Sequence, residues 1–381
     1  MNQRLKHLSF GIICFIIFPI VVLVSFELGL KFLGVKSLHG KKFQAKSKRE
    51  FLDDHSFYLL DKDLLWRLQP NTVKEVDGIE YKVNSHGLRS NDFELSKESG
   101  VFRIGVFGDS STFGLNLPFD EIYHQYLMKM LESKYPQKKF EVINFGVPGY
   151  SSRQGVVVFH KWLDKIDPDL VIVSFGANDG YGIPAGVYGD MEIVGTSTTI
   201  AVNIRSHLER LRIVTLLHTF VTKIEEKALN EQKGKKIEVT KCRVPKEGYE
   251  KNIRKMAAIA RKHDIPAVFL NISIADKYLD VLKKLSDKGE ITFCDVETSL
   301  QELYYSEDRD EFIKKFTREQ IKTPIFDEIN EMCTKLLGEK QMAIRRDRIL
   351  FTDDFHPNAP GNYVIAQTLF ENVQELIQFF P

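Results

Sequence analysis

The chain has almost no excess of charge of either sign: 53 lysines and arginines face 52 aspartates and glutamates, a formal net charge of +1. No global field therefore recommends nucleic acid as a partner. Cysteine is scarce, with four in 381 residues. Cys14 lies inside an apolar run, and Cys242, Cys294 and Cys333 show no CxxC and no metal-like spacing. A disulfide among those three stays open. No HExxH and no Cys/His cluster suggests a metal site, and no GxxxxGK[ST] loop is present. Gly105 and Gly108 do not complete a GxGxxG fingerprint. No cofactor and no metal are expected. Internal repeats and low-complexity segments are lacking too.

What is present begins at the amino terminus. Leu8 to Phe26, "LSFGIICFIIFPIVVLVSF", is a 19-residue stretch without a charge, just long enough at helical rise to cross a hydrocarbon core. The run continues into "ELGLKFLG", with Glu27 and Lys31 and no A-x-A-like site. An uncleaved anchor is therefore expected, with the membrane as partner, rather than a removed signal peptide. Arg4 and Lys6 precede the span, while Lys31, Lys36, Lys41, Lys42, Lys46, Lys48 and Arg49 follow it. A positive-inside count alone places the body in the cytoplasm, but a large C-terminal domain translocates despite local charge.

Residues 51–99 carry short alternating runs such as "IEYKV", punctuated by Pro70-Asn71, Asp77-Gly78 and Asn84-Ser85. They read as a small β-rich extension. From residue 102, short apolar strands alternate with helices. The strand candidates are Ile104–Phe107, Phe140–Asn144, Leu170–Phe175, Ala267–Ile272 and Arg348–Phe351. Helices are expected near 119–133, 152–165, 246–263, 274–286 and 359–379. Wholly apolar strands between helices indicate an α/β fold, a parallel sheet covered on both faces in a three-layer sandwich. Two segments exceed the minimal pattern: a Gly-rich and then charged stretch at 180–243, and a largely helical one at 287–345. Insertions after strand ends shape pockets and lids.

In such sheets ligands bind beyond the carboxyl ends of the strands. The first strand is followed by Gly108-Asp109-Ser110, the second by "NFGVPGYSS" with Gly146, the third by Gly176-Ala177-Asn178-Asp179, and the last by "TDDFHPNAPG" with Asp353 and His356. A serine hydroxyl becomes a competent nucleophile when a base removes its proton, and a histidine neutral near pH 7 is such a base. Asp353, three residues before His356, is placed to orient the ring. The N–H groups of Ser110 and Gly146 and the Asn178 amide are donors suited to an oxyanion. Taken singly, each block reads as punctuation: Gly108-Asp109-Ser110 as a turn, Gly146 as loop, Asn178-Asp179-Gly180 as a turn, and "HPNAPG" as a helix start. Asp354 competes with Asp353 at a poorer spacing. Asp109 and Asp179 read as local turn residues, and His86 and Arg89 in "NSHGLRS" as a structural turn. Only the joint position of the four blocks at successive strand ends favours catalysis.

These four blocks resemble the signature of the SGNH hydrolases, also called GDSL esterases and lipases. "VINFGVPGYSS" and "HPNAPGNYVIAQTL" are similar to that family as well, and "VNSHGLRS" resembles the extension of membrane-anchored bacterial members. The similarity covers roughly residues 100–180 and 243–375, with Ser111 standing where the GDSL name has leucine. The resemblance implies a flavodoxin-like five-stranded sheet, Ser110 as nucleophile, Gly146 and Asn178 completing the oxyanion hole, and Asp353 with His356 closing the triad. The expected organisation is a cytoplasmic tail and anchor (1–35), a basic linker (36–50), the β-rich extension (51–100) and a hydrolase domain (101–381) on the extracytoplasmic, periplasmic side. The expected activity is hydrolysis of an acyl ester, acetyl included, through an acyl-enzyme. An alcohol on a glycan or another envelope component replacing water makes the same residues an O-acyltransferase. A membrane-tethered binding module without turnover is the non-enzymatic alternative.

Overall fold

The computed structural model describes residues 18–35, 57–61, 63–184, 190, 211–213, 216, 239–316, 334 and 336–378. In chain order the elements are helix α1 (Phe18–Phe32) and strands β1 (Tyr58–Asp61), β2 (Leu65–Leu68), β3 (Thr72–Val76), β4 (Ile79–Val83) and β5 (Val101–Gly108). Then follow α2 (Ser110–Phe113), α3 (Tyr123–Lys134), β6 (Lys139–Asn144), α4 (Ser152–Ile166), β7 (Leu170–Ser174), β8 (Gly182–Pro184) and β9 (Val239–Cys242). The chain continues with α5 (Lys246–Lys262), β10 (Ala267–Leu270), α6 (Asp276–Asp287) and β11 (Thr292–Cys294). Helices α7 (Val296–Tyr305), α8 (Arg309–Ile313), α9 (Glu339–Arg346) and α10 (Ala359–Gln378) complete it.

The central sheet has five parallel strands in the order β11-β10-β7-β5-β6, the flavodoxin-like arrangement. Every residue of β5 and β7 is buried, as expected of strands covered on both faces. Alternation along them divides the core. Val171 and Val173 join Phe107, Phe159, Ile253 and Leu282 on one face. Leu170 and Ile172 join Ile104, Leu127, Leu300 and Leu369 on the other. Helices α4, α5 and α6 cover the first face, and α3, α7 and α10 cover the second, giving three layers. Helix α4 starts on a reciprocal cap between Ser151 and Gln154, which satisfies two otherwise orphaned groups.

One expected strand is absent. Arg348–Phe351 makes only an isolated bridge, Phe351 to Pro357. The carbonyls of Ile349 and Leu350 are taken by Asn358, through its Nδ2 and backbone N at 2.8 and 3.0 Å, so they are not offered to a neighbouring strand. The fifth strand is instead β11, three residues long, inside the region expected to be a helical insertion. Cys242 and Cys294 are free thiols, and Cys333 lies outside the described residues.

The extension forms two antiparallel hairpins, β1-β2 and β3-β4. Asp77 and Gly78 both have positive φ, 52° and 74°, the backbone of a two-residue turn whose twist matches the strands. The stretch "IEYKV" alternates buried and exposed positions. The expected basic linker, residues 36–50, lies outside the described residues, as does most of 185–238. Among the described residues no helix is long and apolar enough to cross a membrane. Residues 8–17 of the expected span lie outside them, and the remainder falls in the 15-residue α1.

Candidate active site

The central strand β5 ends at Gly108, which admits no side chain: a Cβ there would lie 2.0 Å from Thr112 Oγ1 and 2.8 Å from the Ser174 carbonyl. Asp109 then caps the short α2, accepting the Ser111 N–H at 3.0 Å. This turn delivers Ser110 to the rim with its side chain partly exposed. The Ser110 hydroxyl donates to His356 Nε2 at 2.7 Å. On the other side of the ring, His356 Nδ1 lies 2.7 and 2.8 Å from the two oxygens of Asp353. Asp353 Oδ1 also accepts the backbone N–H groups of Phe355 and His356 at 2.9 and 2.8 Å. The carboxylate thus shapes the loop that carries the histidine.

That loop is held from below. Ser273 Oγ donates to the Phe355 carbonyl at 2.6 Å. The fully buried Arg345 donates to Ser273 Oγ at 3.1 Å, pairs with Glu297 at 2.7 Å, and covers the Phe351 ring at 4.1 Å. Asp354 is engaged elsewhere, 2.8 Å from Arg348, which leaves the histidine to Asp353 alone. Asn116 adds contacts to Thr352 Oγ1 at 3.0 Å and Asp353 Oδ2 at 3.5 Å.

Asn178 also reaches this rim. Its Nδ2 donates to the Tyr150 carbonyl at 3.0 Å and to Asp109 Oδ2 at 3.3 Å, joining the Ser110 turn to the turn after β6. Gly146 takes a different place from the one expected. Its N–H donates to Asn144 Oδ1 at 2.8 Å, and a Cβ there would lie 2.3 Å from Phe113 N. It is a close-packing glycine beneath α2, with its donor already used. Three residues on, Gly149 is partly exposed with φ +82°. Among the described residues the N–H groups of Gly149 and Ser110 donate to no protein acceptor.

Two carboxylates under the rim are buried. Burial pushes Asp109 up to about 7; the nearby Asp179 charge adds to this, while the bonds from Ser111 and Asn178 work against it. Burial likewise raises Asp179 to about 6, opposed by the Ser152 hydroxyl and N–H. Asp179 fixes the start of α4 through those two bonds, so it is a structural neighbour of the site.

Sequence reading missed how far the extension reaches into this region. Arg89, expected as part of a turn, is fully buried and grips the segment after α2. Its guanidinium donates to the carbonyls of Phe113, Gly114 and Leu117 at 2.9, 2.6 and 2.7 Å, and it lies over the Tyr81 and Phe113 rings. His86, by contrast, is occupied in its own turn, with Nε2 3.2 Å from the Phe93 carbonyl. Arg243 donates to the Gly149 carbonyl at 2.8 Å and pairs with Asp190 at 2.8 Å; Ser151 Oγ donates to the same Asp190 at 2.6 Å.

Residues 106–313 match the model of the GDSL-like Lipase/Acylhydrolase family, more than half of the chain. The chain belongs to that family. It is accordingly a carboxylic ester hydrolase, as the serine turn and the resemblance in its sequence led one to expect. The family match ends before the loop bearing Asp353 and His356, so the geometry of that loop is additional to it. Among solved structures, the chain is similar to TesA, with 13% identity and a TM-score of 0.39 over 72% of this chain and 99% of that one. It is also similar to an acetylxylan esterase from Geobacillus stearothermophilus, with 13% identity, a TM-score of 0.39, and 72% and 94% of the two chains covered. A lipase/acylhydrolase from Enterococcus faecalis gives 12%, 0.40, 72% and 96%. No curated protein sequence matches the chain.

Proposed function

We propose that the chain is a serine esterase working through an acyl-enzyme, with Ser110 as nucleophile, His356 as base and Asp353 as orienter. The observation that supports this reading is the continuous hydrogen-bonded run from Ser110 Oγ through the imidazole to Asp353. As Oγ attacks an ester carbonyl, its proton passes to His356 Nε2, and the carbonyl π electrons move onto oxygen. The imidazolium that forms is stabilised by the carboxylate beside Nδ1. Collapse of the tetrahedral species expels the alcohol, which takes the proton from Nε2. Water then gives its proton to the same nitrogen, attacks the acyl-enzyme, and releases the acid and Ser110.

The oxyanion is held, in this reading, by the N–H groups of Ser110 and Gly149 and by the Asn178 amide. Gly149 replaces the expected Gly146, because a donor already spent on Asn144 is not available to a transition state. Asn178 contributes by turning one N–H away from its long bond to Asp109.

We also propose that the enzyme is membrane-anchored, with the site on the extracytoplasmic side. Helix α1 exposes Phe18, Ile20, Val22, Leu23 and Phe26, and the sequence before it is uncharged back to Leu8.

Hydrolysis of a short aryl ester by the full chain and by Ser110→Ala tests the reading. Turnover abolished in the variant supports it, and undiminished turnover contradicts it. Adding an alcohol or a glycan acceptor to the same assay separates the two fates of the acyl group. Free acid as the sole product identifies a hydrolase, and a transferred ester an O-acyltransferase.

A further inference from the structure

The turn that carries the Gly149 N–H is gripped from outside the sheet-and-helix body. Trp66, on β2 of the extension, donates its indole N–H to the Pro148 carbonyl at 3.1 Å, across 82 positions in the chain. Pro148 O and Gly149 N–H belong to one peptide unit. No cis peptide bond occurs among the described residues, so this unit is planar and trans, and its N–H points opposite to its C=O. A donor on that oxygen therefore aims the N–H away from the indole, and the next residue, Tyr150, meets Asn178 at the rim through its carbonyl.

The grip is built rather than incidental. Tyr150 Oη donates to the Trp66 carbonyl at 2.6 Å, and the two rings lie 5.6 Å apart. Gln154 Nε2 donates to the Leu64 carbonyl at 2.9 Å, fastening the same hairpin to α4. A Cβ on Gly149 would meet Trp66 Cζ2 at 3.1 Å, so the ring lies directly against the turn. Arg243 holds the following carbonyl, that of Gly149.

We infer that Trp66 is a positioning residue for the oxyanion hole: its indole N–H orients and polarises the Pro148–Gly149 peptide, so that the β-rich extension is a working part of the active site. The inference rests on the proposed role of the Gly149 N–H. Hydrogen bonds in series strengthen one another, and a donor on the carbonyl makes the N–H of the same peptide a better donor to a developing negative charge. The gain belongs to the tetrahedral species and not to the neutral ester, so it is read in kcat and not in KM.

The test uses the full chain with two replacements: Trp66→Phe, and benzothienylalanine placed at position 66 by nonsense suppression, which keeps the size and shape of the ring but has no N–H. With p-nitrophenyl acetate, both variants are expected to lose about fivefold in kcat, with KM changed less than about twofold. Butylboronic acid, which forms a tetrahedral adduct on the serine, is expected to bind about fivefold more weakly to both. A benzothienylalanine variant with wild-type kcat and boronate affinity overturns the inference, whatever Trp66→Phe does, because the ring and not its N–H is then what matters. A rise in KM alone also overturns it. Turnover in Ser110→Ala measured alongside separates the two levels: a dead Ser110→Ala with an unaffected isostere defeats only the role of Trp66, whereas an active Ser110→Ala defeats the proposed function and this inference together.

Discussion

The Ser110 hydroxyl lies 2.7 Å from His356 Nε2, although 246 positions separate the two residues. The serine stands at the end of the central strand β5, and the histidine on a loop that never joins the sheet. The loop is kept in place by Asp353, by Ser273 beneath Phe355, and by the Arg345–Glu297 pair beneath Ser273. The site is therefore only as well ordered as that loop, and several consequences can be measured.

Asp353→Asn is expected to lower kcat by on the order of 10⁴, with the fold retained. An amide oxygen still accepts the N–H groups of Phe355 and His356, which preserves the loop, but it carries no charge to stabilise the imidazolium. Steady-state kinetics beside circular dichroism check this. A variant with wild-type kcat would remove Asp353 from the mechanism.

Gly146→Ala is expected to act on stability. A Cβ placed 2.3 Å from Phe113 N and 2.7 Å from the Thr112 carbonyl carbon forces the backbone under α2 apart, at a cost of about 1–3 kcal/mol. The midpoint of urea unfolding reads the loss directly. An unchanged midpoint would mean that β6 and α2 have slack this packing does not suggest.

Arg89→Met should destabilise the fold by about 2–4 kcal/mol, and Arg89→Lys should restore little of it. The guanidinium serves three carbonyls around the end of α2 at once, a fork that an ammonium does not reproduce. Methionine fills the volume but leaves those buried acceptors unpaired. Unfolding free energies of the three proteins decide the matter.

Asp109 makes stability depend on pH. Burial raises its folded-state value from 3.8 to about 7. Between those values the unfolded chain has released the proton and the folded chain still holds it, so unfolding loses a proton and stability falls as pH rises. The contribution is fully present below 3.8, is lost on passing about 7, and changes by on the order of 1 kcal/mol per pH unit in between. Asp109→Asn keeps the Ser111 cap without titrating. The stability of wild type minus that of the variant should therefore decline from about pH 4 to about pH 7. A difference that is flat or rising across that range would show that Asp109 is ionised throughout.

Much of this architecture was legible because buried parallel strands leave an unmistakable trace. Ile104–Phe107 and Leu170–Val173 are apolar without a polar break, and the residues after them fall at one rim by topology. The errors have local causes. Arg348–Phe351 carries strand-like side chains, but Asn358 takes its carbonyls, and no pattern of hydrophobicity records that. Thr292–Cys294 is too short to stand out from the helices around it. In "NFGVPGY", that the Gly146 N–H is taken depends on Asn144 folding back onto it, which the pattern of residues does not record. Arg89 and Trp66 bond to carbonyls 24 to 82 positions away, and such contacts leave no mark in the sequence pattern.

The central claim, that Ser110 is the activated nucleophile, is tested most directly by labelling the full chain with a fluorophosphonate probe and locating the adduct by mass spectrometry, with Ser110→Ala as control. The phosphonylated residue is predicted to be Ser110, with labelling lost in the variant. A probe attached to another residue, or equal labelling of Ser110→Ala, would contradict the account.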